Sequence, residues 1–189
     1  MDLWRDLLFV LWVFTPAGIA NMTPILAAKV PALRRWTAPI DGGRSFRGKR
    51  IFGNHKTWRG LVTGMVVATL ILGLQQVLVA NVEWFDWVSK GFSYDFAIWQ
   101  TLLMGSLFAV GALGGDALKS FFKRQLGVAP GHSWPPFDQI DYVLGGAIAI
   151  APFLRFTLLE YVLLVVVWGG ISLFASWLGY LTRFKESPF

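Results

Sequence analysis

Cysteine is absent from the 189 residues, which excludes disulfides, thiolate metal sites and thiol chemistry. Histidine is almost absent: His55 and His132 lie in separate polar stretches, a poor basis for a zinc site. Charge is scarce, at 15% of residues, against roughly a quarter in ordinary globular proteins. There is no G-x-x-x-x-G-K-[ST] phosphate loop, no Ser-His-Asp arrangement, no internal repeat and no low-complexity tail. What abounds is apolar. Hydrophobic residues make up 55% of the chain, with 16 Phe and 10 Trp. A surface that faces lipid accounts for both the deficit and the excess. In a soluble chain the net charge of +6 would suggest nucleic acid. Between long apolar runs its placement matters more than its total, and no nucleic-acid partner is expected.

A spanning helix needs about 20 mostly apolar residues. Five segments qualify, at about 7–28, 60–80, 97–115, 140–158 and 160–181. The first is expected to be a retained transmembrane helix rather than a signal peptide, because Asp2 and Asp6 outweigh Arg5 and the apolar run is too long. Arg155, near the end of the fourth, is placed to snorkel. The connections are short, so residues 1–189 are expected to form one domain. The expected fold is an all-α integral membrane bundle of five transmembrane helices.

The first connection holds Lys29, Arg34, Arg35, Arg44, Arg47, Lys49, Arg50, Lys56 and Arg59 against a single Asp41. The third holds Lys119, Lys123 and Arg124, and the C-terminus Arg183 and Lys185. The second has Lys90 against Glu83, Asp86 and Asp95. The positive-inside rule puts the basic connections and the C-terminus in the cytoplasm and the N-terminus outside. An odd number of helices requires the same. The two polar connections then share the cytoplasmic membrane surface.

Asp116, Lys119, Ser120 and Lys123 follow at i, i+3, i+4 and i+7, one face of a helix, with Arg124 adjacent. After a turn expected at Pro130-Gly131, Asp138 and Asp141 open the next helix at i, i+3. Three carboxylates facing one another need a cation among them. Mg²⁺ held by carboxylates and substrate phosphates is one reading. Aspartates favouring a helix N-terminus, beside lysines that bind anionic lipid, are the other. Spacing alone leaves both open. The stretch "DGGRSFRGKRIFGNHKTWRG" interleaves glycines with basic residues, suiting phosphate or an anionic headgroup. Asn21, Thr23 and Pro24 mark either a polar site or a kink in the first helix.

The ordered set Gly115-Asp116, Ser120, Lys123-Arg124, Pro130-Gly131-His132 and Asp138-x-x-Asp141 resembles the signature of the CTP:phosphatidate cytidylyltransferases. The chain departs from the bacterial pattern in a shorter middle and a missing Lys-Asp pair. Ser133-Trp134 replaces Gly-Gly, and Gln139 stands where Arg is usual. Those departures, "ANMTP" at 20–24 and "GNHKTWRG" at 53–60 look like the archaeal branch, the CDP-archaeol synthases.

The resemblance implies transfer of CMP from CTP to an isoprenoid ether lipid phosphate, with Mg²⁺ as cofactor. It implies Asp116, Asp138 and Asp141 as metal ligands, and these with Lys123 and Arg124 as the catalytic set. Asn21, Lys56, Thr57, Arg59, Lys119, Ser120 and His132 would bind nucleotide or phosphate. The partners are then CTP, a membrane lipid phosphate and the bilayer, and a homodimer is compatible with the sequence. Two alternatives stay open: an ester-lipid CDP-diacylglycerol synthase, and a non-enzymatic membrane protein that binds anionic lipid.

Overall fold

The computed structural model describes residues 2–128, 132 and 134–181. The turn expected at Pro130-Gly131, together with Ser133, Arg183 and Lys185, lies outside the described residues. Among the described residues, six helices and one small hairpin follow in the order α1 (Leu3–Ala27), β1 (Ser45–Phe46), β2 (Lys49–Arg50), α2 (Trp58–Asn81), α3 (Glu83–Val88), α4 (Ile98–Gln125), α5 (Phe137–Ile150) and α6 (Leu158–Leu181).

Four of these, α1, α2, α4 and α6, are long and apolar enough to cross a membrane. The segment expected at 140–158 differs. Helix α5 has 14 residues, a length of about 21 Å at 1.5 Å per residue, short of the roughly 30 Å hydrocarbon core. Pro152 contributes to the early end because it has no N–H to continue the hydrogen-bond ladder, although Ala151 before it keeps a helical backbone. Residues 151–157 continue without helix, and Leu154 and Phe156 bury their side chains in the core. Helix α4 runs ten residues past the expected boundary at 115, which makes the Asp116–Arg124 stretch helical.

Small residues set the tightest contact. A Cβ built on Gly115 would lie 2.2 Å from the Asp141 carbonyl oxygen, and one on Gly145 2.2 Å from that of Gly111. Helices α4 and α5 therefore meet backbone to backbone, as small-xxx-small pairs allow between membrane helices. Gly105 likewise admits the backbone of Thr69 on α2. Around this seam pack Phe14, Phe108, Ala109, Ala112, Tyr142, Val143 and Trp168, all buried. The rings of Phe14 and Phe108 meet edge to face at 6.2 Å. Trp168 donates from Nε1 to the Val10 carbonyl at 3.0 Å and accepts at its own carbonyl from the Tyr142 hydroxyl at 2.8 Å. These bonds tie α6 to α1 and α5.

The end of the bundle holding the helix starts of α1 and α6 is fastened by charge. Lys90, in the positive-φ region at 53°, pairs with Asp6 and, at 2.6 Å, with Glu160. Glu160 also accepts from the Thr157 backbone at 2.6 Å. Burial lowers the Lys90 pKa, but the two carboxylates more than offset this and hold it above the ordinary lysine value. Asp6 and Glu160 are themselves buried, so the lysine is their necessary counter-charge.

The α4–α5 seam generates a paired prediction. Gly115→Ala should lower the unfolding temperature in detergent, because overpacking against backbone costs about 1–3 kcal/mol. Gly114→Ala, whose Cβ meets nothing within 4 Å, should leave it unchanged or raise it. Thermal unfolding of the two variants side by side provides the check.

Candidate functional site

The opposite end of the bundle carries the charged cluster. The i, i+3, i+7 spacing brings Asp116, Lys119 and Lys123 to one side of α4. The glycine seam then places the first turn of α5 directly against it. Lys119 is the hub. Its Nζ lies 3.2 Å from Asp116 Oδ1, 2.8 Å from Asp138 Oδ1 and 2.7 Å from Asp141 Oδ2. Two further lysines close the ring from outside. Lys56 pairs with the other oxygen of Asp116. Lys123 Nζ sits 3.3 Å from Asp138 Oδ1 and donates to the His132 carbonyl. Asp138 also accepts from the Trp134 backbone N–H, and Asp141 Oδ1 from the Tyr142 N–H at 2.7 Å.

Lys56 arrives from the long first connection, and a buried acid shapes that connection. Asp41 Oδ1 accepts from Gly43 N at 2.9 Å and from Arg50 Nη2 at 2.8 Å. Its Oδ2 accepts from the backbone of Phe52 and Gly53 at 3.0 and 3.1 Å. Burial pushes the carboxyl pKa up, but the Phe52 and Gly43 amides, Arg50 and the Gly53 amide pull it down to about 2. Between these anchors the β1–β2 hairpin turns through Arg47 and Gly48, both at positive φ, as a two-residue hairpin turn requires. Lys49 Nζ reaches the Gln125 carbonyl at 2.8 Å, docking the hairpin on the end of α4. Ile40 N donates to the Lys56 carbonyl at 2.8 Å and Trp58 N to that of Ala38 at 3.0 Å. Lys56 is thus held by its backbone while its side chain reaches α4.

A cavity of about 810 Å³ opens between this connection, α1, α4, α5 and α6. Of the residues expected in the site, Asn21, Lys56, Thr57, Arg59, Asp116, Lys119, Lys123, His132 and Asp138 line it. Thr57 also caps α2, accepting from Gly60 N at 3.3 Å. Arg59 is buried, with Nη1 3.4 Å from the carbonyls of Leu33 and Arg34.

Three expected residues stand elsewhere. Asp141 lies behind Lys119 rather than on the cavity wall. Ser120 turns its hydroxyl back to the Asp116 carbonyl of its own helix at 2.9 Å. Arg124 is not among the lining residues. The sequence reading missed Ile40, Gln139, Ser172 and Ser176 as wall residues, and missed Asp41 as the clamp of the first connection. Asp41 had one signal, as the lone acid among nine basic residues. Ser172 and Ser176, four apart, share a helix face that an apolar run hides.

Among the described residues, no group of three or more acidic or histidine side chains is spaced to hold a metal ion as it stands. The three aspartates expected as ligands surround an ammonium instead. Their chemistry nonetheless fits Mg²⁺, with hard oxygen donors around a position that already attracts a cation.

Fold and site together define a class: a helical membrane protein whose bundle end forms a cationic, carboxylate-bearing cavity suited to phosphate groups. The comparisons narrow the class. A solved structure described as an intramembrane enzyme for archaeal membrane lipids biosynthesis superposes with a TM-score of 0.68 at 28% identity, over 87% of this chain and 90% of that one. A CDP-archaeol synthase of Pyrococcus furiosus is 32% identical over 97% of this chain and 99% of its own length. One of Methanococcus aeolicus is 32% identical over 90% of both chains. One of Methanosphaerula palustris is 43% identical over 59% of this chain and 62% of its own. The family model described as CarS-like, CDP-archaeol synthase, matches residues 3–189. The chain belongs to the CDP-archaeol synthase family, whose members are CTP-using cytidylyltransferases.

Asp41→Ala should loosen the first connection without unfolding the bundle. Amide exchange at Phe52 and Gly53 is expected to accelerate in the variant. A carboxylate with a lowered folded pKa stabilises above its ordinary value of about 3.9 and stops doing so as pH falls through about 2. In the unsubstituted protein the protection factors should therefore persist at pH 5 to 7, as round test values, and collapse only in strong acid.

Proposed function

We propose that this chain transfers CMP from CTP to 2,3-bis-O-geranylgeranyl-glycerol 1-phosphate, releasing pyrophosphate, at a cavity that faces the cytoplasm. The observation that carries this reading is the convergence of Lys56, Arg59, Lys119 and Lys123 with Asp116 and Asp138 around one cavity at the bundle end. In this reading α5 and the irregular segment after it make a fifth crossing, with the N-terminus outside. Supporting that, the starts of α1 and α6 meet through Lys90 at the end opposite the cavity.

The nucleophile is a phosphate oxygen of the lipid, already anionic near neutral pH, so no general base has to activate it. The barrier is repulsion between two anions and charge that builds on the α-phosphate. Catalysis of such transfers rests mainly on positioning and electrostatic stabilisation. Lys56 and Lys123 sit where they can draw in and orient the phosphates. Arg59 fixes the Leu33–Arg34 backbone and adds a buried positive charge to the wall. Asn21 offers an amide from α1 on the same wall. Ser172 and Ser176 give α6 a polar strip there, while the rest of that helix is largely exposed and apolar. That arrangement lets a lipid headgroup enter from the side while its chains stay in the bilayer. Asp116 and Asp138 are the residues that would hold Mg²⁺, with Asp141 a third. When bound, Mg²⁺ supplies charge that polarises the α-phosphate and stabilises pyrophosphate as it leaves.

Purified protein incubated with CTP, Mg²⁺ and matched ether- and ester-linked lipid phosphates should give a CDP-lipid identified by mass, with the ether substrate preferred. Asp116→Asn and Asp138→Asn should each lower pyrophosphate release by at least about a hundredfold while the protein stays folded. Equal use of ATP would overturn the assignment of the nucleotide. Equal use of the ester lipid would overturn that of the lipid. Absence of any nucleotidyl product would leave anionic-lipid binding as the function.

A further inference from the structure

Lys119 occupies a position where three carboxylates converge, and its three contacts of 2.7 to 3.2 Å are of hydrogen-bond length. A Mg²⁺ ion draws oxygen ligands to about 2.0–2.1 Å. The ammonium therefore holds the carboxylates farther apart than the metal would. This explains why the same aspartates are not spaced for a metal in the present structure.

We propose that Lys119 is the resident counter-ion of the three aspartates, a positioning residue that keeps the site assembled without metal and is exchanged for the divalent cation. The proposal rests on the reading that Mg²⁺ binds at Asp116 and Asp138. The charge pattern explains why the exchange is one cation for another. When Lys119 leaves, Asp116 keeps Lys56 and Asp138 keeps Lys123. Asp141 keeps only the Tyr142 amide, and its side chain is 7% exposed. A carboxylate that deeply placed cannot stay charged without a neighbouring cation. Withdrawal of the lysine is therefore favoured when another cation takes its place.

It also has somewhere to go. Lys119 lines the cavity, and its stem of four methylenes lets the ammonium swing toward the phosphates without moving α4. The exchange then places a positive charge on the nucleotide side as the metal enters on the aspartate side. An empty site, by contrast, keeps its lysine bound and unavailable to phosphate.

Metal binding tests this without turnover. Mn²⁺ serves as the probe, with free ion counted by electron paramagnetic resonance in detergent-solubilised full-length protein. Lys119→Met should bind Mn²⁺ at least about tenfold more tightly than the unsubstituted protein, a factor equal to about 1.4 kcal/mol. Its unfolding temperature in EDTA should fall below that of the unsubstituted protein and recover on adding Mn²⁺. Lys119→Arg keeps the charge and holds carboxylates through a planar fork, so it should bind Mn²⁺ no better than the unsubstituted protein. If Lys119→Met fails to fold, Lys119→Arg decides alone: tighter Mn²⁺ binding overturns the proposal, and equal or weaker binding supports it. Mn²⁺ binding that is equal or weaker in Lys119→Met overturns the exchange and leaves the metal site standing. No Mn²⁺ binding in any of the three proteins overturns both.

Discussion

Everything in the site depends on the backbone contact between α4 and α5. Gly111 and Gly115 on one helix, with Gly145 on the other, remove the side chains that would keep two helices apart. Asp116 follows Gly115 directly, and Asp141 is the residue whose carbonyl Gly115 touches. The closeness that glycine permits is thus the closeness at which carboxylates from two helices share one lysine. Like charges do not gather by themselves. Here the packing energy of a small-residue seam is set against their repulsion, and Lys119 removes most of what remains. Lys56 and Lys123 then balance the outer oxygens, so a cluster of three acids and three bases sits half-buried without a stranded charge.

The two ends of the bundle solve the same problem in opposite ways. At the far end one lysine serves two buried acids, and the result is a fastening between helix starts and a connection. At the cavity end three lysines serve three acids around open space. A closed pairing stabilises and does nothing more. An open one leaves cations facing a volume that an anion can enter.

Much of this was legible in the sequence, for identifiable reasons. Long apolar runs reveal α1, α2, α4 and α6 because lipid demands them, and helical spacing correctly put Asp116, Lys119 and Lys123 on one face. The extent of the fourth helix was misjudged because hydropathy reports environment and not conformation. Residues 151–157 are mostly apolar, and Pro152 and Arg155 are the signals of the break. Ser120 carries the same spacing as its neighbours, yet a serine hydroxyl in a helix can satisfy itself on the carbonyl four residues back, which spacing does not reveal. Arg124 lies next to the face that spacing selects and not on it. The role of Lys119 as hub was also out of reach, because which of several lysines fills the centre depends on the height of α5 against α4, a quantity of the glycine seam.

Asp41 has a consequence beyond shaping its loop. Both of its oxygens are turned inward onto Arg50 and three backbone amides, so the field of the only acid between Lys29 and Arg59 is spent locally. Seen from solution, the segment is cationic throughout. Such a surface attracts a polyphosphate across about a Debye length, near 10 Å at 0.1 M salt, and raises the encounter rate before any specific contact forms. The first connection is therefore an antenna as well as a wall, and its reach shortens as ionic strength rises.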